Sequence, residues 1–243
     1  MTRIRYALGA CTFALLLWQG IVWLTGVPSF ILPSPLRVAQ AALDNRVLIA
    51  ENALVTATEV ILGLITGTVL GAFTAVQLAN SDRLHRLVMP LLIFTQAVPV
   101  FALAPILTLW FGYGIASKVV MAVLIIYFPV TSAFYDGLTR VPADILDMAK
   151  IMGGTKRQIM RRIKIPHALP SLGTGLKLAA VYAPIGAVIG EWVGASKGLG
   201  YLMLLANGRA KTDLMFASLF TLVVMTLLLS LAVTKASDRL SKP

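Results

Sequence analysis

Long apolar runs separated by shorter polar stretches dominate the chain. Six of these runs are each near the roughly 20 residues that a helix needs to cross a bilayer. They lie at 7–26, 54–79, 87–110, 115–135, 172–193 and 214–233. The pattern predicts an all-α, polytopic membrane bundle of six transmembrane helices in one domain, 1–243. An N-terminal span falls within 1–30, and the core covers 50–235.

Prolines subdivide this pattern. Between the first two spans, Pro35 suits the first turn of a short surface helix. The third span contains Pro90, Pro99 and Pro105. Each of them removes a backbone donor and kinks a helix, which frees carbonyl groups that need a partner or a water-lined cavity. A kinked helix that carries the polar Gln96 suits the wall of a transport pathway.

Small residues recur at every fourth position of two spans. They are Gly63, Gly67 and Gly71, which continue the line from Glu59, and Gly186, Gly190 and Gly194. Such stripes let helix backbones approach closely in lipid. We therefore expect helix packing in a compact bundle or a homodimer, and an interhelix hydrogen bond for Glu59.

Composition supports a membrane protein, since 58% of residues are hydrophobic, 13% are charged and the mean hydropathy is +0.85. The net charge of +11 lies between the apolar runs, which fits anionic lipid headgroups and not a nucleic acid. Arg3 and Arg5 precede an apolar first segment without a cleavage site, so the first helix is expected to be uncleaved. The single cysteine, Cys11, excludes an intrachain disulfide.

Orientation follows from the distribution of Lys and Arg. With both termini in the cytoplasm, 14 basic residues fall inside and 6 outside, and Lys177 is left unassigned. The outer set is Arg37, Arg46, Lys118, Lys197, Arg209 and Lys211.

A polar stretch at 147–170, DMAKIMGGTKRQIMRRIKIPHALP, carries six Lys or Arg residues. A helical piece breaks at Gly153 and Gly154, which permit a tight reversal. The chain then resumes as a basic amphipathic segment that we expect to stop at Pro166. Composition alone favours a helix that lies on anionic headgroups.

The spacing resembles the cytoplasmic EAA loop of binding-protein-dependent ABC importer permeases, placed here at about 140–170. Asp147 stands at the Glu position, Met148 and Ala149 at the alanines, Gly153 at the glycine, and Ile163, Ile165 and Pro166 at I-x-L-P. Gly154, next to the motif glycine, belongs to the same candidate coupling loop. The departures are Asp for Glu, which shortens the reach of the charge, Met for Ala and Ile for Leu.

This resemblance implies the transmembrane domain of a type I ABC importer in a bacterial inner (plasma) membrane. The loop would be a coupling helix that docks on one of two separate ATPase subunits. It also implies a second copy of this chain and a periplasmic or lipid-anchored substrate-binding protein. The chain would not be an enzyme and would bind no cofactor, with ATP and Mg on the partner. The sequence contains no G-x-x-x-x-G-K-[ST] loop, and GRAKT at 208–212 has the wrong spacing.

The likeness extends over about 30–235 and suggests a class of substrate. ILPSPLRV, TQAVPVFALAPILTLWFGYG and IGEWVGASKGLGYLM resemble permeases for sulfonates, taurine, nitrate and thiamine precursors. YAPIGAVIGEWVGASKGLGYLMLLAN is most similar to permeases for pyrimidine precursors of thiamine.

Candidate pathway or gating residues are polar, proline or aromatic positions within the spans. They are Thr95, Gln96, Pro99, Tyr182 and Glu191. An ionisable group in a span costs about 2.5–3.5 kcal/mol on insertion scales, so it has a role or a partner. Glu191 stands beside Trp192 near the outer end of the fifth span, where it either acts on substrate and gating or lies at the interface. His85 and His167 lack neighbours at ligand spacing, so no metal site is expected.

Two other functions remain open from the residues alone. A stand-alone secondary transporter would use Glu59 or Glu191 for proton coupling and would move substrate without ATP. The EAA spacing argues against it, because such a carrier needs no ATPase-docking loop. An intramembrane enzyme would use the two glutamates as acid and base, but the chain has no other catalytic grouping at suitable spacing.

Overall fold

The computed structural model describes the backbone of residues 2–240, and the side chains of that range except at 2–4, 7, 8, 11 and 240. Within that range every regular element is a helix, which confirms the all-α prediction. The helices are α1 (Thr2–Thr25), α2 (Pro35–Asp44), α3 (Arg46–Asn80), α4 (Asp82–Ala97), α5 (Val100–Phe111), α6 (Ile115–Thr139), α7 (Ala143–Ile151), α8 (Lys156–Ile159), a π-helical turn (Met160–Lys164), α9 (Ile165–Gly194), α10 (Leu199–Gly208) and α11 (Thr212–Leu240).

Helix α6 lies between α3 and α9 at the centre of the bundle. A Cβ added to Gly63 of α3 would lie 2.5 Å from Cβ of Ala122, and one added to Gly186 of α9 would lie 2.6 Å from Cα of the same alanine. Three more glycines of the two stripes also face α6: Gly67 lies against Ile126, Gly71 against Val130, and Gly190 against Lys118. Gly194 instead faces Thr108 of α5 and Tyr113. The glycine stripes thus bring three backbones together.

Three apolar clusters follow one another along this bundle. At one end α2, the start of α3, α10 and α11 meet around Val38 and Leu199. In the middle, α3, α6 and α9 pack around Ile126. At the other end, the last turns of α3 and α6 pack on Met160 and Ala168. We call the end with the first cluster the α2 end. The opposite end is the hairpin end, since α7, α8 and the π-helical turn lie there.

Four described helices are long and apolar enough to cross a membrane: α3, α6, α8–α9 taken with the π-helical turn between them, and α11. Helices α4 and α5 are long and apolar enough to cross a membrane only if they are counted as one span, and the angle of the bend between them is 100°. The first predicted span coincides with α1, whose fully described apolar part, Thr12–Thr25, is shorter than a span. Described residues thus supply four or five of the six predicted spans.

The third predicted span is not one continuous helix. Helix α4 ends at Ala97, Val98 is extended (φ −81°, ψ 121°), and Pro99 is the N-cap of α5. The ring of a proline disfavours helical geometry at the preceding residue, which explains why the break falls at Val98. Pro90 and Pro105 lie inside helices, so of the three prolines only Pro99 separates two helices.

The short surface helix predicted from Pro35 is present as α2. Ser34 is its N-cap and accepts a hydrogen bond from the backbone N–H of Arg37 at 3.4 Å, while Pro35 occupies the first turn. Helix α10 was not predicted. Its fully buried Leu199 packs in the same cluster as Val38, so α10 extends into the bundle at the α2 end.

Candidate functional site

The hairpin, residues 143–164, begins with a helix that extends away from the bundle. Every residue of α7 is at least partly exposed. Ile151 and Met152 at its tip are 87% and 80% exposed, and Met148, one turn earlier, is 60% exposed. Asp147 pairs with Lys150 at 2.8 Å on the exposed surface of α7, where such a pair contributes little stability. The tip therefore presents apolar side chains.

Two glycines make the reversal after α7 rigid. Gly153 has φ +79°, and its N–H donates to the carbonyl of Lys150 at 2.9 Å, while the N–H of Gly154 donates to the carbonyl of Ala149 at 2.9 Å. This is the double hydrogen bond of a Schellman helix end. A Cβ on Gly154 would lie 2.7 Å from the carbonyl oxygen of Ala149, so the second position has no room for a side chain.

The return arm starts with a capping box. The Thr155 hydroxyl accepts from the N–H of Gln158 at 3.3 Å, and Gln158 Oε1 accepts from the N–H of Thr155 at 2.8 Å. Ile159 and Met160 are then buried, and Met160 packs against α3 and α6. The hairpin is thus capped at its turn and fixed to the bundle at its base.

The expected stop at Pro166 is wrong, because the helix continues from the return arm through α9 to Gly194. The N–H of Ile165 donates to the carbonyl of Met160, five residues back, at the end of the π-helical turn. Pro166 then lies in the first turn of α9, where a proline is tolerated.

A groove of about 300 Å³ separates the two arms of the hairpin. Of the predicted coupling residues, Ala149, Gly153, Gly154 and Ile163 line this groove, whereas Asp147, Ile165 and Pro166 lie outside it. Arg157, Arg161 and Arg162 line a neighbouring pocket. An apolar tip, a groove and a basic flank on a rigid support are features of a surface that docks on another protein.

Three of the predicted pathway residues lie together at the α4–α5 break. Thr95, Gln96 and Pro99 are exposed there. The Thr95 hydroxyl donates to the carbonyl of Leu92 at 2.6 Å, and Gln96 Nε2 donates to Thr95 Oγ1 at 3.4 Å. Tyr182 is exposed on α9. These side chains are available to a solute or to another subunit.

Glu191 does not share that exposure. It is 1% exposed, whereas its neighbour Trp192 is 52% exposed, so the Glu191 side chain faces the interior of the bundle. It belongs to a group of five buried polar side chains at the α2 end, which we call the polar cluster: Asn52, Thr56, Glu59, Lys118 and Glu191.

The polar cluster caps the N-terminus of α10. Asn52 Oδ1 accepts from the N–H of Gly198 at 2.7 Å, and Thr56 Oγ1 accepts from the N–H of Leu199 at 2.8 Å. Glu191 Oε2 accepts from the N–H of Gly200 at 2.5 Å. These backbone groups have no partner within the helix, so side chains of α3 and α9 fix α10 to the bundle.

Lys118 is part of this cluster and lies in a helix, not in a loop. It lies in the first turn of α6 and is 2% exposed. Its Nζ donates to the carbonyls of Tyr113, Gly114 at 2.9 Å and Gly194 at 3.1 Å. Lys118 thus links the segment between α5 and α6 to the C-terminal end of α9, where a positive charge is favourable.

Among the residues that the structure describes, no group of three His, Cys, Asp or Glu side chains is placed to hold a metal ion. The two features with chemistry to explain are therefore the hairpin and the polar cluster, at opposite ends of the bundle.

Several known proteins and one protein family are similar in sequence to this chain. The family described as binding-protein-dependent transport system inner membrane component matches residues 67–242. A probable ABC transporter permease protein of Haemophilus influenzae is 47% identical over 215 residues, which cover 88% of each chain. The formylaminopyrimidine transport permease protein ThiX of Halalkalibacterium halodurans is 37% identical over 98% of this chain and 96% of its own.

The fold also matches a solved structure. A chain of the inward-facing MetNI methionine ABC transporter superposes with a TM-score of 0.72, over 82% of this chain and 99% of that chain. The sequence identity is 20%, so this likeness concerns the arrangement of helices alone.

Proposed function

The chain belongs to the family of inner membrane components of binding-protein-dependent transport systems, and we propose that it is the permease subunit of an ATP-driven importer. The observation that carries this proposal is the hairpin. A separate ATPase subunit would receive the apolar tip formed by Met148, Ile151 and Met152, and its acidic side chains would face the basic return arm. ATP and Mg would be bound by that subunit.

The rigidity of the hairpin supports this role. The Schellman end, the capping box and the buried Met160 leave little freedom between the tip and α9. A displacement of the tip would therefore move α9, which packs along α6. Movement of an ATPase on binding ATP would in this way bias the bundle between inward-open and outward-open states.

Two copies of this chain would line the pathway, with two ATPase subunits beneath them and a binding protein at the α2 end. Both termini would be cytoplasmic, as the distribution of basic residues indicates. The exposed side chains at the α4–α5 break, Thr95, Gln96 and Pro99, and Tyr182 on α9 would face the solute. Helix α5 adds the exposed aromatic rings of Phe101 and Trp110.

We propose a small nitrogen heterocycle, such as a formylaminopyrimidine, as the transported solute. The relative named for that compound shares 37% of residues over nearly the whole chain. Exposed aromatic rings and neutral hydrogen-bonding groups at the α4–α5 break suit stacking and hydrogen bonding to such a ring.

The test is to purify the tagged chain gently from its own membrane and to identify the proteins that accompany it. We expect an ATPase with a G-x-x-x-x-G-K-[ST] loop in equal amount, and a substrate-binding protein. A chain that purifies alone, while other ABC complexes from the same membrane stay intact, would support a stand-alone transporter.

The recovered binding protein then tests the solute. Pyrimidines, flavins, taurine, alkanesulfonates and nitrate are compared by thermal shift and calorimetry. Binding of a heterocycle with at least tenfold preference supports the proposed class. Preference for a sulfonate or nitrate would overturn the substrate class and leave the importer role intact.

A further inference from the structure

The polar cluster holds three ionisable side chains away from water. Glu59, Lys118 and Glu191 are 3%, 2% and 1% exposed, in helices that are long and apolar enough to cross a membrane. Charge in such a place is costly unless it is paired and hydrogen-bonded. The hydrogen bonds of each group indicate which of the three carries a charge.

Lys118 is a cation. Its Nζ donates to three carbonyl oxygens, those of Tyr113, Gly114 and Gly194. Three donated hydrogen bonds require three N–H groups, which only the ammonium form has. One positive charge therefore resides in the cluster.

Glu191 is a carboxylate. Its Oε2 accepts from the N–H of Gly200, and its Oε1 lies 2.6 Å from Thr56 Oγ1. That hydroxyl already accepts from the N–H of Leu199, and the competing carbonyl of Asn52 is farther, at 3.3 Å. The hydroxyl hydrogen therefore points at Glu191. Donors at both oxygens, together with the N-terminus of α10, favour the charged form.

Glu59 has no comparable set of donors. Its Oε2 is buried without a hydrogen-bond partner among the described residues, and its side chain lies beside that of Glu191. Among the described residues, no ion pair within 4.0 Å includes either glutamate. Two carboxyl groups in contact form a hydrogen bond only if one of them carries a proton.

We propose that the polar cluster is a proton-binding site, in which one proton is held between the carboxyl groups of Glu59 and Glu191 and resides on Glu59. With this proton the cluster is neutral, since the charge of Glu191 balances that of Lys118. The proton supplies the hydrogen bond that Glu59 otherwise lacks and joins α3 to α9, beside the N-terminus of α10.

In this proposal the proton stays bound while the chain is in its resting state. The groups that face Glu59 are Glu191 from α9 and Lys118 from α6, all three of them buried. This inference does not depend on the proposed transport function, because it concerns the chain in its resting state.

Infrared spectroscopy of the full chain in lipid nanodiscs tests the inference. The chain contains three glutamates, Glu51, Glu59 and Glu191, so labelling glutamate side chains with ¹³C isolates their carboxyl bands. At neutral pH we expect one of the three labelled groups to show the carbonyl stretch of a protonated carboxyl group, with a shift in D₂O. The band should vanish in Glu59→Gln and persist in Glu51→Gln, whose wild-type side chain is exposed on the same helix.

Every outcome decides the matter. A labelled wild-type spectrum with carboxylate bands alone would overturn the proposal, whether the site is empty or holds a metal cation. A protonated band that survives in Glu59→Gln would overturn it as well, because the proton would then reside on another group. If Glu59→Gln does not fold, Glu59→Asp replaces the labelled carboxyl group with an unlabelled one, and a protonated labelled band that persists in this variant would overturn the proposal.

Discussion

Gly198 is the residue at which a single added methyl group should loosen α10. It is the N-cap of α10 and has φ +118°, and a Cβ there would lie 2.3 Å from Cδ of Glu191. Backbone strain of this kind costs about 1–3 kcal/mol. Displacement of the buried carboxyl group adds about 1–3 kcal/mol of overpacking. Gly198→Ala should therefore lower the free energy of unfolding by about 2–6 kcal/mol.

Thermal unfolding of the purified chain in nanodiscs, followed by tryptophan fluorescence, measures this effect. For a chain of this size the loss corresponds to a fall in Tm of at least about 4 °C. The matched control is Gly208→Ala at the other end of α10, where an added Cβ has open space among the described residues. It should leave Tm unchanged or raise it slightly, because alanine is the better helix former. If Gly198→Ala melts like wild type, Glu191 is not seated against α10.

Three further predictions concern other parts of the molecule. Gly153→Asp puts a side chain at φ +79° and, at a cost of about 1–3 kcal/mol, loosens the hairpin; it should reduce ATPase co-purification while leaving membrane insertion intact, as pull-down and membrane fractionation will show. Lys118→Met leaves three carbonyl oxygens without their donor and should lower stability by about 1–3 kcal/mol, seen as a fall in Tm; an unchanged Tm would contradict the hydrogen bonding assigned to Lys118. Gln96→Ala should alter transport kinetics in proteoliposomes with normal assembly, and unchanged kinetics would remove Gln96 from the pathway.

Local features of the fold could be predicted where the sequence carries a local cause. A proline after a serine starts α2, and a proline ring breaks the third span at Val98. Glycines at every fourth position place α3 and α9 against α6. The reversal at Gly153 was predicted for the same reason, since only a residue without a side chain adopts that turn at little cost.

Features that depend on distant contacts could not be predicted in this way. The sequence does not show that Lys118 is buried, because its partners are backbone groups that any residue could supply. They are the carbonyls of residues 113, 114 and 194. Glu59 and Glu191 are brought together by the packing of α3 and α9. The periodicity of apolar residues in each helix does not show which other helix it packs against. One signal was present: Asn52, Thr56 and Glu59 extend the glycine stripe of α3 and lie with it on the buried side of the helix.

The helix through Pro166 was missed for a different reason. A proline in the sequence is compatible with the end of one helix or with the first turn of another, and composition does not distinguish the two. The π-helical turn before it shifts the hydrogen-bond pattern, so that Pro166 begins α9 and the helix axis continues. Composition does not reveal such a turn.

The most direct test of the central claim is a cross-link from the tip of the hairpin to the ATPase. In a Cys11→Ser background, Met152→Cys carries a photoactivatable cross-linker, and the control Val47→Cys carries the same reagent at the α2 end, where the wild-type side chain is also exposed. We expect Met152→Cys to form an adduct that mass spectrometry identifies as an ABC ATPase, with a yield that changes when ATP is added, and Val47→Cys to form none. Equal ATPase labelling from both positions, or labelling of lipid alone from Met152→Cys, would contradict the assignment of the hairpin as the ATPase-docking element.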